Sequence, residues 1–226
     1  MAVGCVIRCD YERPDTELVK RFKGVPVANI DDNMGRIGAV SNEIAPVGKG
    51  YLLGPAFTVK VPQGDNLMFH AAMDMAKPGD VIVIDAGGFT DRAIFGELMA
   101  TYCKQRGICG IVCDGAVRDS EALAEMKDFP VYARGITPNG PYKNGPGEIG
   151  VPVVIGGKVI NPGDIFVGDA DGIVVIPPQK AEALLEAANQ VQKKEEKIME
   201  DILNKTSYIR PWVDEKLKEI GVEYIG

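Results

Sequence analysis

The sequence predicts an α/β fold, because short apolar runs alternate with amphipathic segments through most of its first half. Runs of strand length occupy residues 56–61, 81–85 and 108–113, and segments with helical spacing occupy residues 65–76 and 94–105. Strands that alternate with helices in this way are typical of a sheet that helices cover. At 226 residues the chain can form one good core, whereas a second full domain would be cramped.

Turn and cap residues mark where several of these elements begin and end. A first short helix is expected at residues 16–22. Asp65 is the expected N-cap of the second helix, because an aspartate side chain can accept a hydrogen bond from the first turn. Gly107 is expected to end the third helix, since glycine adopts the left-handed conformation that closes helices. The strand at residues 108–113 then leads into a short helix at residues 120–127.

The pattern changes after residue 138. Residues 138–152 are rich in glycine and proline, which predicts a long loop, and long loops often face a substrate. Turn signals such as the glycine pair at residues 156–157 then separate short apolar runs. Four strands are expected there, at residues 153–155, 158–160, 165–167 and 173–176.

A long helix is expected at residues 179–205, because its apolar residues recur in steps of three and four. This seam consists of Leu184, Ala188, Val191, Ile198 and Ile202. Glu195 also falls on the seam, where a carboxylate costs stability unless it has a partner. Glu195 therefore either contacts a specific polar group or lies where the seam frays into solvent.

The chain is divided by this pattern into an α/β domain at residues 1–178 and a C-terminal helical tail at residues 179–226. The end of the tail, residues 208–226, is expected to form a second short helix. Its tryptophan, Trp212, is expected to be a packing or interface residue, because indole rings contribute large apolar contact areas.

Composition argues against several classes of function. The chain has 25 basic and 32 acidic side chains and a net charge of −7, the wrong sign for a broad phosphate-binding surface, so we expect no nucleic-acid partner. No apolar run approaches the roughly 18 residues that a membrane span needs. The charged residues near the N-terminus differ from the apolar core of a signal peptide. We therefore expect a cytoplasmic protein without a membrane partner.

The cysteines and the histidine restrict the chemistry further. Five scattered cysteines are an odd number, which favours reduced thiols over a disulfide framework. His70 is the single histidine of the sequence. A site with two histidine ligands is therefore excluded, and a metal has to be held mainly by oxygen.

Residues 114–119 (DGAVRD) are the most informative motif. The apolar run at residues 110–113 precedes the motif and a helical segment follows it, so Arg118 and Asp119 are expected at the carboxyl end of a strand. Arginine offers a planar fork to a carboxylate or enolate oxygen, and aspartate offers a hard oxygen to a divalent cation. The alternative is an ordinary surface ion pair after a strand.

Further candidates lie at the start of the helix expected at residues 94–105. The free backbone N–H groups of a helix start can bind an anion such as the carboxylate of a keto acid. Glu97 adds a second carboxylate there, whose alternative role is to complement the helix dipole. With Arg118, Asp119 and, as a further candidate, Glu195, this makes an acid-rich site with one arginine. Such a site suits a divalent ion and an oxyanion.

A family resemblance is carried by residues 96–100, 110–112, 114–119, 162–164 and 168–172. These segments resemble the class II pyruvate aldolase family, which includes 4-hydroxy-4-methyl-2-oxoglutarate aldolases and the related regulators of ribonuclease E activity. The resemblance spans about residues 45–205, and the family pattern is Gly-x3-Asp-x20-Arg-Asp. This chain keeps the spacing but has Ala93 for the glycine and Glu97 for the aspartate. Because the side chain of Glu97 is one methylene longer than that of aspartate, its carboxylate would hold a water at a shifted position.

The resemblance implies a structure and a set of residue roles. The fold would be an αββα sandwich of the swivelling β/β/α type, assembled as a ring-like homotrimer or homohexamer with sites shared between subunits. Asp119 would bind Mg²⁺ or Mn²⁺, largely through water, and Arg118 would stabilise a pyruvate enolate. The backbone amides of Leu98 and Met99 would bind the substrate carboxylate. Glu195 would reach this site from the helical tail of a neighbouring subunit.

The implied reaction is metal-dependent cleavage of 4-hydroxy-4-methyl-2-oxoglutarate, or of 4-carboxy-4-hydroxy-2-oxoadipate, into pyruvate and a second keto acid. A metal with an adjacent guanidinium stabilises the enolate charge without a Schiff-base lysine. A water held by Glu97 or by the metal would take the hydroxyl proton. Oxaloacetate decarboxylation forms the same enolate and is expected as a side activity.

Three alternative functions differ in the residues that they require. A ring that regulates ribonuclease E without chemistry would not need the acidic set, which this chain retains. Methyl transfer is disfavoured because no Gly-x-Gly-x-Gly loop follows an early strand. A lyase of the same mechanism that acts on another keto acid stays open, and the loop at residues 138–152 is the segment expected to set that choice.

Overall fold

The computed structural model describes residues 4–204 and 208–225. The strands in these ranges are β1 (Cys5–Ile7), β2 (Ala45–Pro46), β3 (Leu52–Lys60), β4 (Val81–Asp85), β5 (Ala93–Phe95), β6 (Gly110–Val117), β7 (Val131–Ile136), β8 (Gly147–Ile149), β9 (Val153–Ile155), β10 (Lys158–Ile160), β11 (Ile165–Asp169) and β12 (Gly172–Ile176). The helices are α1 (Thr16–Lys20), α2 (Val27–Asn33), α3 (Leu67–Met75), α4 (Glu97–Gln105), α5 (Ser120–Glu125), α6 (Ala181–Leu203) and α7 (Pro211–Glu219), with a 3-10 turn (Pro178–Lys180) before α6.

The largest sheet is mixed, with the strand order β1-β8-β3-β4-β6-β7-β2. Its centre, formed by β3, β4, β6 and β7, is parallel, whereas β11 pairs antiparallel with the first half of β3. Every residue of β6 is buried, as expected for a strand that is covered on both faces. Because β4 and β6 are parallel, their carboxyl ends meet at one edge of the sheet, where the candidate site lies.

Three apolar cores separate four layers. The first core, which contains Phe69, lies between the central sheet and α3, α4 and α5. The second contains Tyr132 and joins the central sheet to the strands β9, β10, β11 and β12. The third contains Phe22 and lies between the pair β11–β12 and the helices α1, α2 and α6. This arrangement confirms the α/β class and the αββα sandwich that the family resemblance implied.

Several element boundaries differ from the sequence prediction. The helix predicted at residues 94–105 begins at Glu97, because the buried apolar residues before it form β5, which pairs with β6. The loop predicted at residues 138–152 contains β8, which lies between β1 and β3. Helices α1 and α5 each end two residues earlier than predicted. β1, β2, β7 and α2 were not predicted as elements from the sequence pattern.

The predicted N-cap of α3 was also wrong. The residue at that position is Asn66, and the carboxylate of Asp65 has a wider structural role. Asp65 Oδ1 accepts a hydrogen bond from the amide of Leu67 at 2.9 Å, and Oδ2 accepts from the amides of Asn144 and Gly145. Asp65 therefore ties the start of α3 to the loop that precedes β8.

Helix α6 packs on its own chain through its first half. Ala181, Leu185 and Ala188 are buried in the third core. Farther along the tail, many large apolar side chains are exposed, among them Met199, Ile202, Leu203, Ile209, Trp212, Ile220, Tyr224 and Ile225. The predicted end of this helix, Lys205, lies outside the described residues.

None of the helices in residues 4–204 and 208–225 combines the length and the apolar character that crossing a membrane requires.

All five cysteines are free thiols, of which Cys103 and Cys113 are buried. Burial raises the pKa of the Cys103 thiol from its ordinary value of 9.0 to about 12.

Candidate functional site

Arg118 and Asp119 lie at the carboxyl edge of the central sheet, in the turn between β6 and α5. The amide of Arg118 donates to the carbonyl of Phe95 at 2.9 Å, and this bond fixes the turn against β5. Asp119 is in the left-handed conformation with φ 55°. Such a conformation is unfavourable for a residue with a side chain, and it is often found at functional positions.

The two side chains form an exposed ion pair. Arg118 Nε lies 3.8 Å from Asp119 Oδ2, and the side chains are 45% and 44% exposed. Exposed pairs of this kind contribute little to stability, about 0–1 kcal/mol. The ion pair itself therefore adds little to fold stability, and both side chains are accessible to a ligand.

Gly96 allows β5 and the start of α4 to approach this turn closely. A Cβ atom at Gly96 would lie 2.2 Å from Asp119 Oδ2 and 2.8 Å from Arg118 Cγ, so any larger residue would displace the pair. Without that obstacle, the amide of Glu97 donates to Asp119 Oδ2 at 3.1 Å. The Asp119 carboxylate thus lies directly at the amino terminus of α4.

The first turn of α4 presents backbone donors at this place. No acceptor within the described residues binds the amides of Leu98 and Met99, as expected for the start of a helix. The Leu98 side chain is 82% exposed, so the helix start is accessible from solvent. The Met99 side chain packs against the first core.

An open groove of about 560 Å³ adjoins the pair. It is lined by Arg118, Asp119, Ser120, Glu121, Ala122, Ile136, Thr137 and Pro138. The start of the loop predicted to face the substrate therefore does border the candidate site. Glu97 contributes its backbone amide to the site, while its exposed side chain is not part of the groove lining.

Arg92 holds this loop in place. Its Nη1 donates to the carbonyl of Gly140 and its Nη2 to the hydroxyl of Tyr142, both at 2.9 Å, and the guanidinium carbon lies 4.2 Å from the centre of the Tyr142 ring. A Cβ built at Gly140 would be 3.5 Å from Arg118 Nη1, so the loop passes directly beside Arg118. Arg92 could not be identified from the sequence, since its partners are distant in sequence and belong to no motif.

Asn66 supports the opposite side of the site and was also missed. Its side chain is buried, and Nδ2 donates to the carbonyl of Ile94 at 2.8 Å and contacts Met99 Sδ at 3.6 Å. Asn66 thereby holds β5 and the first turn of α4 together. A polar residue directly before α3 could have drawn attention to Asn66, but the sequence does not show which groups this side chain contacts.

Two further carboxylates at the same sheet edge have structural roles. Asp114 Oδ1 accepts from Arg134 Nε at 2.5 Å and its Oδ2 accepts from the amide of Gly156 at 2.8 Å. Asp85, its neighbour across β4 and β6, accepts from the amide of Val154 at 3.1 Å. Hydrogen bonding to Asp114 raises the pKa of Arg134. These carboxylates fasten the β9–β10 hairpin to the central sheet.

Glu195 has a specific polar partner. This is the first of the two interpretations given above, the other being a seam that frays into solvent. Asn29 Nδ2 on α2 donates to Glu195 Oε2 at 2.8 Å. Within the described part of the chain, Glu195 makes no hydrogen bond or ion pair with Arg118 or Asp119. The structure thus brings together Asp119, Arg118 and the start of α4, and Glu195 contacts a different part of the chain.

The oxygen donors at Asp119 suit a hydrated divalent cation better than a fully enclosed one. Among the described residues there is no cluster of three or more histidine, cysteine, aspartate or glutamate side chains that could enclose a metal. Asp119 Oδ1 has no hydrogen-bond donor in those residues, so one hard oxygen is available beside Arg118. Mg²⁺ commonly keeps several waters and binds proteins through one or two carboxylates, so this donor fits a hydrated ion.

Comparison with known proteins assigns the chain to a family. Residues 27–175 match the family model RraA-like, described as Aldolase/RraA. A protein from Halalkalibacterium halodurans, which carries the provisional name 4-hydroxy-4-methyl-2-oxoglutarate aldolase, is 38% identical over 204 residues. That match covers 90% of this chain and 97% of the relative.

Two solved structures have the same fold. An uncharacterised protein from Pseudomonas syringae pv. tomato has a TM-score of 0.73 at 29% identity, and the match covers 86% of this chain and 96% of that one. Streptomyces coelicolor RraAS2, described as an unusual member of the RNase ES inhibitor RraA protein family, has a TM-score of 0.69 at 32% identity, with coverages of 81% and 97%. From the family model and the aldolase-named relative together, the chain belongs to the RraA-like (Aldolase/RraA) family.

Proposed function

We propose that this chain is a metal-dependent carbon–carbon lyase, a class II pyruvate aldolase. Its substrate would be 4-hydroxy-4-methyl-2-oxoglutarate or 4-carboxy-4-hydroxy-2-oxoadipate, which it cleaves to pyruvate and a second keto acid. The observation that carries the proposal is the contact of Asp119 with the amino terminus of α4, beside Arg118 and an open groove that the side chains of Arg118 and Asp119 line. The name of the Halalkalibacterium halodurans relative supports the same reaction.

The substrate carboxylate is proposed to bind the start of α4. The amides of Leu98 and Met99 have no acceptor in the described residues, and the positive end of the helix dipole favours an anion there. A 2-oxo acid carries its keto oxygen next to its carboxylate. That oxygen then lies within reach of the Arg118 guanidinium, whose planar donors suit a developing oxyanion.

Cleavage leaves two electrons on the carbon next to the keto group, so the keto oxygen becomes an enolate. Arg118 stabilises this charge more in the transition state than in the substrate, which is the condition for faster chemistry. Mg²⁺ or Mn²⁺, held through Asp119 and water, supplies a Lewis acid for the same charge when it is bound.

The remaining proton transfers fall to water and Glu97. Bond cleavage requires a base that takes the proton of the 4-hydroxyl group, and a water hydrogen-bonded to the exposed Glu97 carboxylate meets this need. The enolate then takes a proton to give pyruvate. Loss of carbon dioxide from oxaloacetate produces the same enolate, so we propose decarboxylation as a side activity.

A homotrimer or homohexamer is part of this proposal. The tail exposes many large apolar side chains, such as Leu203 and Trp212. Monomeric proteins rarely leave large apolar patches exposed, so these side chains support packing of the tail on a neighbouring subunit. The tail would carry Glu195 to the neighbour's site. The net charge of −7 supports a small-molecule substrate over nucleic acid.

The proposal is tested by pyruvate release, measured with lactate dehydrogenase and NADH. 4-Hydroxy-4-methyl-2-oxoglutarate, 4-carboxy-4-hydroxy-2-oxoadipate and oxaloacetate are each offered to the protein with Mg²⁺, with Mn²⁺ and with a chelator. Metal-dependent release supports the proposal. Release that continues unchanged in chelator contradicts the role of the metal, and no release from any of them contradicts the substrate assignment.

A second candidate is regulation of ribonuclease E, favoured by the 32% identity to RraAS2. It is separated from the first by adding the protein to a ribonuclease E cleavage assay. Inhibition by both the unaltered protein and an Asp119→Asn variant, without pyruvate release, would favour the regulator.

A further inference from the structure

A second cavity lies at the amino ends of the central strands, away from Arg118 and Asp119. It measures about 480 Å³ and lies between α1 and the segments that lead into β4 and β6. The length of β6 separates the two sites by roughly 25 Å, at about 3.3 Å per residue. Ligands of open parallel sheets usually bind at the carboxyl ends, so the proposed reaction does not account for this cavity.

The inner surface of the cavity is largely apolar and firmly held. It is formed by Val19, Leu53, Pro55, Pro78, Cys109 and the ring of Tyr51. The hydroxyl of Tyr51 donates to the carbonyls of Phe22 at 2.8 Å and Val25 at 2.6 Å, which fixes the ring. A volume of this size with mainly apolar walls is within the range of small-molecule sites, about 300–1,000 Å³.

Three cations line the same cavity, although the whole chain is acidic. Arg13 forms a bidentate ion pair with the buried Asp80 and donates to the hydroxyl of Tyr11, which together use three of its five N–H donors. Lys20 pairs with Glu17 on the exposed surface. Lys23 forms no ion pair with any described residue. The lining also contains two carboxylates, Asp80 and Asp128, so the three cations leave it with one net positive charge.

We propose that this cavity binds a small organic carboxylate with an apolar body. The apolar part would lie against the ring of Tyr51 and the side chain of Leu53. The carboxylate would meet the spare donors of Arg13 and the ammonium groups of Lys20 and Lys23. This inference does not depend on the proposed aldolase reaction, and either one stands if the other fails.

Cys109 provides a reporter, because its side chain lines the cavity. Burial raises the pKa of this thiol, so alkylation is run at mildly alkaline pH to obtain enough thiolate. The rate of iodoacetamide labelling at each cysteine is followed by peptide mass spectrometry. Exposed Cys5 in the same sample reports any general effect on the reagent. Octanoate is the probe and octanol is its neutral counterpart.

Octanoate is expected to slow labelling of Cys109 several-fold without changing Cys5, and octanol is expected to have a much smaller effect. A Lys20→Gln/Lys23→Gln double variant should lose the advantage of octanoate, while Lys218→Gln, an exposed lysine on α7, should keep it. Equal protection by both probes, or none at millimolar octanoate, overturns the proposal. Protection that rises with protein concentration alone also overturns it, since a second copy then occupies the cavity.

Discussion

The backbone amide of Glu97 donates a 3.1 Å hydrogen bond to Oδ2 of Asp119 and joins the start of α4 to the turn after β6. Glu97 and Asp119 are 22 residues apart, and the bond brings the two predicted parts of the site into one place. It also leaves Oδ1 of Asp119 for another ligand. The proposed chemistry depends on this contact, because an anion at α4 and a cation at Asp119 are then neighbours.

Replacing Gly96 with alanine should damage the site more than the fold. The added Cβ would be 2.2 Å from Asp119 Oδ2, so the carboxylate has to move. Since a misplacement of about 1 Å can cost about 100-fold in rate, we expect kcat/KM for pyruvate release to fall by about that factor. Circular dichroism should show a folded protein. Unchanged kcat/KM would show that the contact between the two segments is not needed.

Asn66→Ala should destabilise the protein by about 1–3 kcal/mol. The substitution leaves the buried carbonyl of Ile94 without its hydrogen bond, and unsatisfied buried groups cost about that much. Urea unfolding measures the difference. Asn42→Ala, at an exposed asparagine, is the control and should change stability by less than about 0.5 kcal/mol. Equal effects of the two substitutions would remove Asn66 from its supporting role.

Stability should fall as the pH rises above 9, in part because of Cys103. Its pKa is about 12 in the folded protein and near 9.0 in the unfolded chain, so between these values the unfolded state has lost a proton that the folded state keeps. The unfolded state is then favoured by about 1.4 kcal/mol per pH unit for this group. Urea unfolding of Cys103→Ala between pH 8 and 10 should show a shallower decline. A decline as steep as that of the unaltered protein contradicts this assignment.

Glu195 should act on a neighbouring subunit if the tail completes the site there. Glu195→Gln keeps an oxygen that can accept from Asn29 while it removes the charge, so we expect little change in stability and at least a tenfold loss of kcat. Arg118→Ala should also be inactive. In the proposed oligomer, Arg118 and Glu195 of one site come from two different subunits. A mixed oligomer of the two variants therefore contains some sites in which both residues are intact. Co-expressed mixtures of these variants should regain part of the activity.

The control for this mixture pairs Arg118→Ala with Asp119→Asn, which damage the same half of the site and should not restore each other. Glu196→Gln, on the next residue of α6, should leave kcat near that of the unaltered protein. No recovery in the first mixture, or recovery in both, argues against a shared site.

The parts of this fold that local pattern determines were predictable from the sequence. β4 was predicted with correct bounds, because an apolar run follows a proline–glycine turn. The DGAVRD motif predicted a strand end with Arg118 and Asp119 at the sheet edge, and the structure places them there.

Other features depend on contacts between distant residues. β5 lies within a predicted helix, because its composition does not reveal that pairing with β6 makes it a strand. The roles of Arg92 and Asn66 arise from partners 28 to 50 residues away, which no local spacing reveals. The sequence pattern predicted a polar partner for Glu195 as one of two possibilities. It did not identify Asn29, which lies 166 residues earlier in the chain.

The most direct test of the proposed function is the metal dependence of pyruvate release in Asp119→Asn. This variant keeps an oxygen for the Glu97 amide and loses only the charge that a divalent cation requires. We expect release from 4-hydroxy-4-methyl-2-oxoglutarate with Mg²⁺ or Mn²⁺ to fall at least about 100-fold, a loss comparable to that of one oxyanion-stabilising group. Glu125→Gln, an exposed carboxylate on α5, should retain full metal-stimulated release. Metal-stimulated release that survives in Asp119→Asn would contradict the assignment of Asp119 and of the mechanism built on it.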